Sequence, residues 1–141
     1  MAMGLMQLIY VSTAIRELSD GELDEILESS VRHNADQAVT GMLLYAGGCF
    51  MQVLEGEETA VDETYGRICR DTRHHQIYLL AKELIAAREF PRWSMGFHRI
   101  TAADAGLHPA YAPLFERGFD AASLGTRPGI ALELLKEFSR N

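Results

Sequence analysis

From Leu5 to Ser12 the chain reads LMQLIYVS, apolar at both alternating sets of positions and interrupted only by Gln7. A run that is apolar on both sides of a two-residue period predicts an interior strand covered on both faces. Tyr10 falls near its end, on the face of Met6 and Leu8. After a turn, Ser19-Asp20-Gly21-Glu22 has the Ser and Glu of a capping box, which predicts a helix start. Leu23, Ile26, Leu27, Ser30 and Val31 then recur at i, i+3, i+4, i+7 and i+8, one inward stripe. Asn34 lies one turn past Ser30 on that stripe. It reads either as a helix C-terminal residue, where Asn accepts left-handed geometry, or as a polar side chain aimed into the same space as Tyr10.

The stretch Val39 to Gly56, VTGMLLYAGGCFMQVLEG, predicts a β-hairpin turning at Ala46-Gly47-Gly48. In its second strand Phe50, Gln52 and Leu54 share one face, and Cys49, Met51 and Val53 the other. Gln52 is the anomaly of that apolar face. A carboxamide there needs partners, whether other core groups or a polar ligand edge, because an unpaired one costs about 1–3 kcal/mol. Glu57 to Arg70 predicts a second amphipathic helix with Val61, Tyr65, Ile68 and Cys69 inward, and Thr59 with Asp62 as a box-like start. Arg67 and Asp71 stand at i, i+4, the spacing of a solvated ion pair. Asp71-Thr72-Arg73-His74-His75 reads as a polar loop, either ordinary surface or a holder of a phosphorylated ligand. Ile77 to Ile85 and Trp93 to His98 predict two more strands, the second placing Trp93, Met95 and Phe97 on one face. The order β-α-β-β-α-β-β defines an α+β, ferredoxin-like sheet with two helices on one face and one added strand.

Beyond Thr101 prolines and small residues become frequent. Pro109 to Gly118 reads as a short helix. Pro128 is placed to start another, whose stripe of Ile130, Ala131, Leu134, Leu135 and Phe138 must be buried on the free face of the sheet or on a second subunit. The expected division is residues 1–100 as the folded core domain and 101–141 as a C-terminal helical extension serving output or oligomerisation.

Composition narrows the function classes. With 48% apolar and 23% charged residues in 141, the chain is a globular domain with one core. A net charge of -7 argues against a nucleic-acid partner, which calls for a basic face. No apolar run reaches the length of a membrane span, and the N-terminus has no secretion signal. Cys49 and Cys69 form no CxxC pair, so a reduced, cytoplasmic protein is expected. His74 and His75 stand alone without the spacing of a metal site. Phosphate-cradling glycine loops, a nucleophile elbow and paired carboxylates on one face are all missing, and we expect no enzyme.

Tyr10 at a strand end, Asn34 at a helix end, Gln52 within Met51-Gln52-Val53-Leu54-Glu55-Gly56, and Trp93-Ser94-Met95 occur together. LIY, EILESS, TGMLLY, RDTRHH and EFPRWSM accompany them in order. The set resembles the BLUF family of blue-light sensors that use flavin, over residues 5 to 98. The resemblance implies a bound FAD, held without a covalent bond. Tyr10 and Gln52 would be the photochemical pair, and Asn34 would hold the ring edge. His33 would lie beside the ring, with Ile26 and Ile68 sandwiching it and Ser30 and Phe50 completing the wall. Arg67, Asp71, Arg73 and His74 would lie toward the ribityl and phosphate end, and Trp93 and Met95 would switch in the last strand.

In the family mechanism the tyrosine gives up an electron and a proton reversibly, and the glutamine rearranges to form a new hydrogen bond to the flavin. Absorption then moves slightly to the red. Neither cysteine has the context of the covalent chemistry of LOV sensors. With no effector domain in the chain, the resemblance implies a short, stand-alone type that signals to a partner protein or within a homo-oligomer, through the Ile130–Phe138 stripe among other surfaces. Two rivals remain: a flavin or small-molecule enzyme on the same scaffold, and a ligand-sensing module without photochemistry.

Overall fold

A computed structural model describes residues 4–91, 96–101, 104 and 128–139. The described elements run β1 (Leu5–Ala14), α1 (Asp20–Asp36), β2 (Thr40–Ala46), β3 (Cys49–Glu57), α2 (Glu58–Cys69), β4 (His74–Ile85), β5 (Gly96–Arg99) and α3 (Pro128–Ser139). The sheet order is β4-β1-β3-β2-β5. β1 lies between β3 and β4 and is antiparallel to both, while β5 joins β2 in parallel at the far edge. This is the expected ferredoxin-like α+β sheet with its extra strand. The hairpin closes through Gly47 and Gly48 at φ 57° and 78°, the two positive angles that a two-residue turn of this kind requires.

Both faces of the sheet are covered, which explains why β1 to β3 read as nearly continuous apolar runs. Met6, Leu8, Tyr10, Leu43, Tyr45, Phe50 and Leu54 face α1 and α2, packing with Leu23, Ala60 and Val61. Ile9, Val11, Met42, Leu44, Met51 and Val53 face the other way. Ala131, Leu134, Leu135 and Phe138 of α3 lie on that second face, each at most 2% exposed. The stripe that the sequence left between sheet and second subunit is therefore committed to the sheet, which removes it as a surface for a partner.

Several boundaries and faces differ from the sequence reading. Ser19 and Glu22 do form the capping box of α1. Asn34 is not the cap: it is 2% exposed inside the helix, and Gln37 ends it. Val31 is exposed at 38%, because the stripe narrows toward Ser30 and Asn34. α2 begins at Glu58 without a side-chain cap, so the Thr59–Asp62 start does not form, and Thr59 Oγ1 instead bonds Glu57 Oε1 at 3.0 Å. Cys69 is exposed, one step of about 100° beyond Ile68 around the helix. β4 starts at His74, ahead of the expected Ile77, because Thr13 and Ala14 extend β1 to pair with His75 and His74. Trp93, Met95 and the Pro109–Gly118 segment lie outside the described residues.

Candidate functional site

The register of β1 against β3 sets Tyr10 directly opposite Gln52, and both point to the helix side. Each is 3% exposed. The Tyr10 hydroxyl donates to Gln52 Oε1. Burial raises the Tyr10 pKa, and the nearby Tyr65, Cys69 and Asp71 act in the same direction, so the phenol stays protonated and remains a donor. The Tyr65 ring lies 5.5 Å from that of Tyr10, and its own hydroxyl is pushed up to about 12, mainly by burial.

Beside this pair, α1 and α2 leave a cavity of about 150 Å³ that opens to the surface. α1 contributes Ile26, Ser30, His33 and Asn34, which the helical repeat brings to one side. α2 contributes Arg67 and Ile68, β3 contributes Phe50 and Gln52, and the α2–β4 connection contributes Asp71, Arg73 and His74. Every residue the resemblance named for the cofactor thus lines one cavity. Ser29, Leu43 and Thr64 line it as well and were missed. Leu43 was recoverable, since it pairs with Gln52 across the hairpin. Thr64 sits three residues past Val61 on the inward side of α2, its hydroxyl spent on Ala60 O at 2.8 Å. Nothing marked Ser29.

In the connection after α2 the expected Arg67–Asp71 ion pair does not form. Asp71 pairs with Arg73, not with Arg67: the Arg73 Nε reaches both carboxylate oxygens at 2.9 and 3.0 Å, Nη2 closes the fork, and the Arg73 backbone N–H adds a bond at 2.9 Å. His74 Nε2 faces Ile68 O at 2.7 Å, and Nδ1 faces Ser12 Oγ at 2.7 Å. A carbonyl only accepts, so Nε2 carries the proton, and in the neutral ring Nδ1 accepts from Ser12. The His74 ring lies edge-on to both Tyr10 and Phe50, 6.4 and 6.2 Å away, and closes this end of the cavity.

The hydrogen bond from the Arg73 guanidinium holds the Asp71 carboxyl below its ordinary value of 3.8, against the opposing effect of burial. A depressed folded-state pKa gives stability that is present above the unfolded value and lost as pH falls through the folded one. Arg73→Ala should therefore move the Asp71 titration upward, as read from its carboxyl carbon shift against pH. An unmoved titration would show that Arg73 is not the cause.

An α+β sheet covered on both faces, with a buried phenol–carboxamide pair beside a slot between two helices, defines a domain with a small-ligand site. The comparisons give the family. The profile described as "Sensors of blue-light using FAD", the BLUF family, matches residues 5–96. The photoactivated adenylate cyclase subunit beta of Euglena gracilis is 34% identical over 111 residues, which is 78% of this chain and 12% of that protein. The blue light- and temperature-regulated antirepressor BluF of Escherichia coli (strain K12) is 36% identical over 91 residues, 64% of this chain and 23% of its own length. Among solved structures, the dark state of the BLUF protein BlrB matches with a TM-score of 0.72 and 30% identity, covering 93% of this chain and 98% of that one. The ground state of BlsA matches with a TM-score of 0.79 and 27% identity over 94% and 87%. The chain belongs to the BLUF family, the sensors of blue light using FAD. It spans about an eighth of the cyclase subunit it matches. No helix among the described residues is long and apolar enough to cross a membrane.

Proposed function

We propose that this chain senses blue light through a switch made of Tyr10 and Gln52, with FAD held non-covalently between α1 and α2. The observation that carries the reading is the Tyr10–Gln52 bond at the cavity wall. The lining suits a flavin. Ile26 and Ile68 offer apolar surface from the two helices, and the buried amides of Asn34 and Gln52 supply donors and acceptors for a ring edge. Arg67, Arg73 and His74, with Asp71 orienting Arg73, suit the phosphate-bearing end, and His33 and Ser30 flank the slot. Neither Cys49 nor Cys69 lines the cavity, which supports non-covalent binding.

Bound FAD supplies the blue absorption and an excited state able to draw charge from a neighbouring phenol. The chain supplies the memory. A carboxamide presents an acceptor at Oε1 and donors at Nε2. In the dark, Oε1 accepts the hydrogen bond that the Tyr10 hydroxyl donates. When light perturbs that bond the amide turns, Nε2 donates to the phenol oxygen, and the face that Gln52 shows to the cavity is reversed. Burial keeps Tyr10 from losing its proton to solvent, so the pair resets. Trp93 and Met95 are the proposed output residues of this switch. The chain acts as a non-catalytic cytoplasmic sensor that passes the change to a downstream signalling protein or within a homo-oligomer, a reading supported by its similarity to a photoactivated adenylate cyclase subunit and a light-regulated adenylyl cyclase.

The test is an absorption spectrum of purified protein before and after blue light, then in the dark. A flavin spectrum that shifts slightly to the red and recovers is expected. A protein that stays colourless with added FAD would overturn the proposal.

A further inference from the structure

Glu55 is fully buried, and the Tyr10–Gln52 switch makes no use of it. The strand register that sets Tyr10 opposite Gln52 also sets Gln7 opposite Glu55. The two polar pairs lie three residues apart on the same two strands, and an odd separation puts them on opposite faces. On the far face Gln7 Nε2 donates to Glu55 Oε2 at 2.8 Å. The same oxygen accepts the Glu89 N–H at 3.0 Å, and Oε1 accepts the Phe90 N–H at 2.7 Å. Arg88 secures the segment a second time: Nη1 donates to Glu55 O and Thr40 Oγ1, and Nη2 to Ala38 O, each at 2.8 Å. Residues 88–90 are thus clamped to β1, β3 and the start of β2.

That segment is in turn joined to α3. Phe90 is 1% exposed, in the same core as Ala131, Leu134, Leu135 and Phe138, and Glu89 pairs with Lys136 at 3.1 Å. On its other edge β1 meets β4 with register shifts between Ile9 and Tyr10 and between Val11 and Thr13, whereas its register with β3 is unbroken from Leu5 to Thr13. The β1–β3 pairing is thus the continuous route from Tyr10 and Gln52 to Gln7 and Glu55. A buried carboxylate is an expensive residue for a core that an apolar one would fill. Its directional bonds do what apolar packing cannot, because a hydrogen bond weakens steeply when its angle changes.

We propose that Gln7 and Glu55 are the transmission pair of this sensor, carrying the rearrangement at Tyr10 and Gln52 through the sheet to residues 88–90 and so to the docking of α3. The inference rests on the light-switch reading, and Glu55 acts as a positioning residue with no contact to the cavity. The docked and loosened forms of α3 are the two states that light biases.

The experiment is hydrogen–deuterium exchange of the FAD-loaded full chain, in the dark and under steady blue light, alongside the absorption spectrum. The parent is expected to show a light-minus-dark difference in the α3 amides of about tenfold in rate, the factor that about 1.4 kcal/mol produces. Glu55→Gln puts an N–H₂ donor in place of one carboxylate oxygen, so whichever way the amide turns at least one of the three donors loses its acceptor. It should keep the spectral shift and abolish the α3 difference. A purely structural clamp would instead raise exchange equally in dark and light and leave the difference intact. Gln7→Leu leaves Glu55 two of its donors, and it is read in the same way if Glu55→Gln fails to fold. Retention of the α3 difference in a folded variant overturns the inference. So does a parent that shifts its spectrum without any change in α3. A parent with no spectral shift overturns the switch reading itself, and this inference with it.

Discussion

Gln52→Leu should bind flavin and show no light-induced shift. Leucine preserves the size and apolar contacts of the strand position but removes the carboxamide that exchanges donor for acceptor against Tyr10. Asn34, Ile26 and Ile68 remain to hold the ring. The same substitution carries a separate thermodynamic signature, because the Tyr10 hydroxyl, 3% exposed, loses its acceptor. A buried hydroxyl left without a partner costs about 1–3 kcal/mol, whereas removing both partners can be nearly neutral. The single variant should therefore unfold at lower urea than the parent, and Tyr10→Phe/Gln52→Leu should recover most of the loss. Residues in one hydrogen bond couple by about 0.5–3 kcal/mol in such a cycle. Both variants should be blind to light. A single variant that still shifted its spectrum would remove Gln52 from the switch. Additive stabilities would mean that the Tyr10–Gln52 bond is not the interaction that matters.

Much of this site was legible because its signals are local. Period-2 alternation put Phe50, Gln52 and Leu54 on one face, and the 3.6-residue period put Ile26, Ser30 and Asn34 on one side of α1; both hold. The register was not legible. Nothing in the sequence of β1 says that Tyr10 stands opposite Gln52, since that depends on how the strands align in three dimensions. For the same reason Glu55 went unnoticed. A glutamate between leucine and glycine at a strand end reads as a solvated position, and only the return of residues 88–90 over it makes it core. Asn34 was ambiguous because a helix-end Asn has a local explanation, and the tertiary one prevailed. Asp71 was matched to Arg67 by helical spacing, yet the chain leaves the helix after Cys69, and the turn brings Arg73 to it instead. The partner of α3 could not be read from an amphipathic stripe, which states that a face is buried without stating against what.

Leu134→Asp should undock α3 and bare the second face of the sheet. Leu134 has no exposed surface and packs among Met42, Leu44, Met51 and Val53. Leu→Ala at such a site costs about 2–5 kcal/mol, and a desolvated carboxylate adds several more. The sum rivals the whole stability of a small domain, about 5–15 kcal/mol. Local release is the cheaper response, because α3 lies outside the β1–β4 sheet and the helix-side core, so it can leave without breaking either. The flavin site lies on the opposite face and should survive with its spectrum intact. Freed of α3, the sheet would expose Ile9, Val11, Met42, Leu44, Met51 and Val53 as one apolar patch, the kind of surface that drives self-association. The expected result is a flavin-bound protein of higher mass by sedimentation, with an unfolding midpoint lower by more than about 10 °C. Leu134→Ala should show a smaller fall without the change in mass. If the aspartate variant kept the mass and midpoint of the parent, α3 would not be what covers the sheet, and the route from Glu55 through Phe90 would have nothing to release.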